Sequence, residues 1–570
     1  MEIISMAHQE HVAILEHGVE VWNDWRKNNP ETQPDLRGIN LQGADLSKAD
    51  FRNALLSRAD LRDTILVAAD LTAVDDLISE QLAGADLSRA KLPDYIREFK
   101  GLENIEEASK NARKTLFLQM LACAYIILTI ANTTDSQLIT NFASSTLPIL
   151  GVKIPLLLFY YTAPFVLLSI FIYYHINVQR LWKELAALPA FFQDGCPLDM
   201  KAYPWLVNSV VATYYEKLKK IQTSRVNFRW VISCCLALGI TPLTLGLLWW
   251  RYLNRHDFWG TTVHIIWLLL SIFYLVFYQR NIHDTFRKPV VKIYKDKRAL
   301  AVFLFLVMLG SFLYYFSYSA IKGIRPPLFL SNIDYSPVAN LENENVSIKP
   351  PNWTNEITFV KEARLSGRNL RYARAYNAFL VKADLSAADL YRANLVEADL
   401  RGANLEYAKL NQVKLLKANL EGASLKFANL SRALLNGASL KGATLLGAIL
   451  KEVSLDNADL TEANLFGANL KSAYLQDACL KEADLESANL QKAKLTGADL
   501  ENAKLENADL MGANLFQAKG LSLTEVKTAK NWKLAFYDSK LRKKLMLPAD
   551  HNEKVRIELK EINKGSKKEG

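Results

Sequence analysis

Histidine is the first residue type along this chain that invites chemistry. His8, His11 and His17 stand close together near the N-terminus, as ligands of a shared metal ion would. They lie on the polar side of a stretch whose apolar face is Val12, Leu15, Val19 and Trp22, so solvated imidazoles rather than a metal site are expected. His264 interrupts an apolar run and reads as a helix-contact or interfacial ring rather than part of a proton path. The cysteines, Cys123, Cys196, Cys234, Cys235 and Cys479, show no metal-ligand spacing, and Cys234-Cys235 falls in an apolar run where packing is expected. Asn345-Val-Ser347 and Asn352-Trp-Thr354 are glycosylation sequons. Asp recurs between 363 and 518 at fixed intervals, where turn and surface chemistry accounts for it. No nucleophile with a paired base, no phosphate-cradling glycine loop and no cofactor motif occurs. No catalytic, cofactor or metal residue is assigned, and a non-enzyme is expected.

The element that positions those carboxylates is a five-residue beat. Counting 365, 370, 375 and onward to 515, every position is Leu except Ala375. Two residues earlier stands Ala, failing only at Arg368, Val413 and Val453, with Asp or Asn often between, as in Ala383-Asp384-Leu385. On an α-helix, steps of five place successive leucines about 140° apart, so no single face forms. On a flat strand an odd period flips each leucine to the opposite side. The conflict disappears if the chain turns a corner in every repeat. Ala and Leu then point inward together, and the two residues after Leu make the corner, which suits Gly402, Gly422, Gly442, Gly467 and Gly497. Four corners close a coil of about twenty residues, and stacked coils pair at roughly 4.8 Å. The result is a solenoid of nearly eight coils, a rod of roughly 35–40 Å.

A shorter run of the same beat covers residues 35–95, from Leu36 to Leu71 and, after one inserted residue, from Leu77 to Leu92. A helix from about Gln9 to Asn28, ended by Pro30 and Pro34, precedes it and is expected to cap its open end. The A(D/N)LXX pattern resembles the pentapeptide-repeat family. The segment from Gly18 to Arg26 leading into Pro34-Asp-Leu36 is similar to the opening of many bacterial, notably cyanobacterial, members. That resemblance implies a right-handed, four-sided β-helix with Leu and the small residue inside.

Between the two blocks the composition changes. Thr115–Ala131, Ile154–Ile176, Trp230–Trp250, Thr261–Tyr278 and Leu300–Ile321 are apolar runs without Asp, Glu, Lys or Arg, long enough to cross a hydrocarbon core of about 30 Å. Aromatic residues crowd their ends, as at Trp249-Trp250 and Tyr314-Tyr315. Basic residues fill the segment before the first run and the second and fourth loops, whereas the first loop has only Lys153 and the third only Arg251 and Arg255. The positive-inside rule then predicts five spans, a cytoplasmic N-terminus and a long solenoid on the non-cytoplasmic side. Segments around Ala131–Asp135, Leu188-Pro189-Ala190 and Ala202–Trp205 look like the membrane region of multispan pentapeptide-repeat proteins.

The expected fold class is therefore two right-handed quadrilateral β-helices flanking an α-helical transmembrane domain, with short α-helical caps. The expected domains are an N-terminal capping helix (1–34), a short solenoid (35–95), a membrane domain (96–321), an extended proline-containing linker (322–362), a long solenoid (363–518) and a helical cap with a basic tail (519–570). In the cap, Ser522-Leu-Thr-Glu525 reads as a capping box, and Trp532, Leu534 and Phe536 are expected to lid the last coil.

The net charge of +10 suggests nucleic acid until it is located. Residues 361–520 carry 21 Lys+Arg against 19 Asp+Glu, so this rod lacks the strongly negative field that family members mimicking DNA use against topoisomerases. A channel or transporter is the other alternative. The favoured expectation is a membrane-anchored scaffold whose partners are the lipid bilayer and an unidentified protein, without nucleic acid or cofactor. Residues twenty apart stack on one face, so Tyr407, Phe427, Leu446 and Phe466 are the candidate protein-binding residues, an apolar stripe across about four coils.

Overall fold

The computed structural model describes residues 7–96, 99, 101–140, 144–146, 153–202, 235–286, 297–322, 339–350 and 353–565. The chain divides into two compact units. The first comprises Met1–Leu128, Thr162–Leu247 and Ile266–Gly310, and the second Thr129–Tyr161, Leu248–Ile265 and Ser311–Gly570.

In the first unit the expected helix is two helices, α1 (Gln9–Glu16) and α2 (Val19–Asn28). They break at Gly18, whose φ of 110° no helical residue adopts. Parallel bridges then link residues twenty apart, Asp35 to Leu55 and Asp50 to Asp70. Beyond the inserted residue the offset becomes twenty-one, Ile65 to Asp86 and Asp70 to Lys91. Each side of a coil contributes single bridged residues rather than long strands, because the chain turns every fifth residue. The helix α2 caps the first coil through side chains. Trp22 is fully buried and its Nε1 donates to the Asp50 carbonyl at 2.9 Å. The Asn23 side chain accepts from the Asp50 amide at 2.8 Å and donates to the Lys48 carbonyl at 2.9 Å. These edge groups have no coil below them, and an unpaired backbone edge is costly.

The other end of the short solenoid is closed by a distant segment. Phe191 bridges Asp86 in parallel, the Leu87 amide donates to the Phe191 carbonyl at 3.0 Å, and the Arg89 amide donates to the Gln193 carbonyl at 2.9 Å. Ala190 and Phe192 are buried in the same core, repeating the small–any–large inward pair of the coils. Within this unit Gln119, fully buried, donates to the Thr241 hydroxyl at 3.0 Å, a polar contact between apolar helices.

In the second unit the long solenoid repeats Asn404 to Ser424 and Ser424 to Thr444 without a change of offset from Arg364 to Lys519. Its interior is a stack of Leu and Ala, Leu425 and Ala423 among those with no exposed surface. Each such Leu contributes about 1.5–3 kcal/mol on burial. Every second corner residue, glycine or not, has a positive φ: Gly447 at 62°, Tyr407 at 58° and Glu452 at 55°. The Asp or Asn between Ala and Leu accepts the amide two residues on, Asn404 from Glu406 at 3.1 Å and Asp459 from Thr461 at 3.0 Å. That hydrogen bond gives the recurrent Asp and Asn a structural role in the corner.

The spacer expected over 322–362 differs from the structure at its second half, residues 323–338 and 351–352 lying outside the described residues. Ala339, Leu341 and Val346 are buried in the solenoid core, and Asn340 and Asn345 bridge Arg374 and Phe379. Ala339-Asn340-Leu341 is a repeat motif with Val346 five residues on. An excursion follows, closed by the antiparallel bridge of Ile348 to Lys361, and this hides the beat. Within the same unit the Asp135 carboxylate accepts the Asn340 amide at 2.7 Å and binds the Arg251 guanidinium.

The C-terminal lid also differs in detail. Ala535 and Tyr537 fill the core, Trp532 packs partly against it, and Phe536 instead supplies the bridge to Asn514. Ser522 Oγ accepts the Glu525 amide at the start of the short helix Leu523–Thr528, as the capping sequence predicts.

Among the described residues four helices are long and apolar enough to cross a membrane by length and composition: Asp94–Asn132, Leu156–Ala186, Phe258–Tyr278 and Ala301–Ser319. Of the expected third span, residues 230–234 lie outside the described residues, and the rest forms a π-turn (Cys235–Gly239) followed by a helix (Ile240–Tyr252). Most of the two long basic loops, Cys234, the second sequon's Asn352 and the final basic tail also lie outside them.

Candidate functional site

The corner that follows Leu405, Leu425, Leu445 and Leu465 holds two columns of side chains. The first corner position is Glu406, Lys426, Leu446 and Phe466, and the second is Tyr407, Phe427, Gly447 and Gly467. The expected stripe therefore crosses from one column to the other. Tyr407 and Phe427 are brought together directly, their rings stacked with centroids 5.3 Å apart and planes 18° from parallel. Leu446 and Phe466 share the neighbouring column, so the four do not form a single file.

Gly447 leaves room for the Phe427 ring: a Cβ there would stand 2.7 Å from the ring's edge atoms, so a side chain at this corner would collide with it. Tyr407 remains 61% exposed, Phe427 46% and Phe466 39%, with Leu446 half-buried. The exposed aromatic pair is held in place by the repeating backbone beneath it. Its border is ionic. Glu406 accepts from the Ser424 hydroxyl at 2.9 Å and pairs with Lys426 at 3.2 Å. The Ser424 hydrogen bond, with the lysine, holds the Glu406 carboxyl below its ordinary range.

The other residues singled out in the sequence have structural surroundings. The His8 and His11 rings are 4.6 Å apart, and His11 Nδ1 accepts the Asp35 amide at 3.0 Å. His17 contacts the Ala13 carbonyl through Nδ1 at 2.6 Å. Among the described residues no group of three or more His, Cys, Asp or Glu is arranged to hold a metal ion. His264 is buried against Tyr252, ring centroids 4.7 Å apart. Cys123 is buried and Cys479 half-buried.

Two features went unread in the sequence. One is the Asp135–Arg251–Asn340 cluster, where only a lone acid after an apolar run gave a signal. The other is the angular distribution of charge around the coil, which a count along the chain conceals.

The family model described as Pentapeptide repeats matches residues 35–72 and, in overlapping copies, 361–517. HetL of the cyanobacterium Nostoc sp. strain PCC 7120, a pentapeptide repeat protein involved in heterocyst differentiation regulation, is 40% identical over 31% of this chain and 78% of its own, with a TM-score of 0.28. Rfr23 of the cyanobacterium Cyanothece 51142 is 36% identical over 20% and 64%, with a TM-score of 0.15. A pentapeptide repeat protein of the Arabidopsis thaliana thylakoid lumen is 30% identical over 17% and 63%, with a TM-score of 0.12. The comparison with curated proteins returns no match. Carried by the family matches and by the identity to HetL, one conclusion follows: the chain belongs to the pentapeptide-repeat family.

Proposed function

We propose that this protein is a non-enzymatic interaction module held in a membrane by five helices. Its short solenoid faces the cytoplasm, and its long, right-handed solenoid is presented to a protein partner on the non-cytoplasmic side. The observation that carries the reading is the stacked, exposed Tyr407–Phe427 pair continued by Leu446 and Phe466 at one corner of the coil. Aromatic side chains in such a patch supply most of the energy of a protein interface. The apolar helices and the alternation of basic and charge-poor loops support the anchoring and the orientation.

Two experiments test it. Photo-crosslinking from position 446 should trap a partner band that disappears when Phe427→Ser and Phe466→Ser are combined, with the circular dichroism of the protein unchanged. Persistence of the band removes the docking role. Reporter fusions at the C-terminus and within 250–258 should both read non-cytoplasmic, and a cytoplasmic C-terminal reporter overturns the orientation.

A further inference from the structure

A second surface emerges when charge is sorted by position in the coil. The corner after the leucines at 370, 390 and so on to 510, together with the outward residues of the next side at 374, 394 and so on to 514, carries nine Lys or Arg and a single acid, Glu452. The same stretch as a whole, 361–520, has 21 basic and 19 acidic residues, which leaves 12 basic against 18 acidic everywhere else. A rod of near-zero net charge is therefore strongly polarised around its axis. Cations such as Arg374, Arg392, Lys414, Arg432, Lys451 and Lys471 succeed one another along the edge, a row of about 30 Å at the roughly 4.8 Å rise of stacked coils.

The row is narrow. The next corner around the coil turns acidic, with Glu397, Asp456 and Asp477 against Lys417. Along the row runs a shallow groove of about 430 Å³ whose lining includes Arg371, Tyr391, Gln412, Arg432 and Lys451. Its ring is already occupied: the Arg371 guanidinium lies 4.5 Å and that of Arg392 5.2 Å from the Tyr391 centroid. Farther along the edge Lys494 stands 4.2 Å from the Tyr474 centroid. Between the cations the groove offers the neutral donors and acceptors of Asn411, Gln412 and Ser431.

We propose that this edge binds an extended acidic segment of a polypeptide, its carboxylates on the row of cations and its backbone on the amides and hydroxyl of the groove. A flat anionic bilayer or a nucleic-acid duplex would meet the flanking carboxylates as well as the cations. A single-stranded nucleic acid would seek open ring faces for its bases, and here cations cover them. A single peptide strand is narrow enough for the row, and its backbone groups match the neutral side chains of the groove. The edge is distinct from the Tyr407–Phe427 corner, so it stands whether or not that corner docks a partner.

The test uses the full chain in non-ionic detergent and a fluorescein-labelled 15-residue oligoglutamate, followed by fluorescence anisotropy. Binding should weaken steeply with salt, and combining Lys414→Ser, Lys451→Ser and Lys471→Ser should weaken it at least tenfold. A control with the same loss of charge on other edges, Lys417→Ser, Lys441→Ser and Lys504→Ser, should change it less than twofold, with both variants retaining the wild-type circular dichroism. Absence of binding, or equal weakening in the two triple variants, overturns the proposal. Tighter binding of a 15-residue oligothymidylate or of vesicles containing anionic phospholipid, lost in the first triple variant, replaces the peptide with that class of ligand.

Discussion

Gly447→Ala tests whether the corner geometry creates the aromatic patch. Gly447 has φ 62°, and a Cβ would meet the Phe427 ring at 2.7 and 2.8 Å. Gly467 also has φ 62° but nothing within 4 Å of the same position. Placing a Cβ-bearing residue in left-handed backbone costs about 1–2 kcal/mol, and about 0.5–1 of that returns because alanine loses less freedom than glycine on folding. Gly467→Ala should therefore cost roughly 1 kcal/mol or less, in keeping with the many non-glycine corners the solenoid already tolerates. Gly447→Ala must also lift the ring and break its stack with Tyr407, adding about 0.5–1.5 kcal/mol. Native-state hydrogen exchange of the Phe427 and Gly447 amides, which donate to the Leu446 and Phe466 carbonyls, reads this locally. In the Phe427→Ala background the two glycine substitutions should cost the same. Equal costs in the wild-type background, or a difference that survives removal of the ring, would refute the steric account.

The ends of the solenoids give the remaining predictions. Asp135→Ala leaves Arg251 and the Asn340 amide without their carboxylate and should cost about 3–5 kcal/mol locally. Exchange at Asn340 should accelerate while that at Leu425 stays constant, and unchanged protection at Asn340 would remove the clasp from the account. Phe192→Ala empties a position that is 3% exposed and should cost about 3–5 kcal/mol, read as lost protection of the Leu87 and Arg89 amides. Burial, then the neighbouring His8, push the His11 imidazole below its ordinary value, with Glu10 and Asp35 opposing. A base with a lowered folded-state pKa gives stability that is complete above about 6.5 and lost as pH falls below it, because the unfolded chain then takes up the proton first. Protection of the Asp35 amide, which His11 Nδ1 accepts, should decline as pH falls below about 6.5 and become pH-independent in His11→Leu, whereas a parallel decline in both proteins would assign the effect elsewhere.

The interior of both solenoids was legible because it is a one-dimensional code. An inward pair every five residues has one regular solution, so Leu425, Ala423 and even the inserted residue before Leu77 could be placed without coordinates. The charged edge was legible too, but only modulo the coil length. Summed along the chain, the same lysines and arginines cancel against acids that face other directions.

What the tertiary structure alone decided is how the coils end. The repeat satisfies each coil with the next and is silent about the last one, whose amides and carbonyls still need partners. Some of those partners come from segments far away along the chain. Phe191 lies about a hundred residues beyond the edge it covers, and Asp135 reaches the Asn340 amide across some two hundred. At Phe191 the pairing is backbone to backbone, which any sequence can make, and at Asp135 it is one carboxylate outside the repeat, so the five-residue pattern names neither. The sequence determines the coil and its corners through side-chain size and period, and the folded chain determines which backbone groups and which side chains, Asn23 and Asp135 among them, meet the ends.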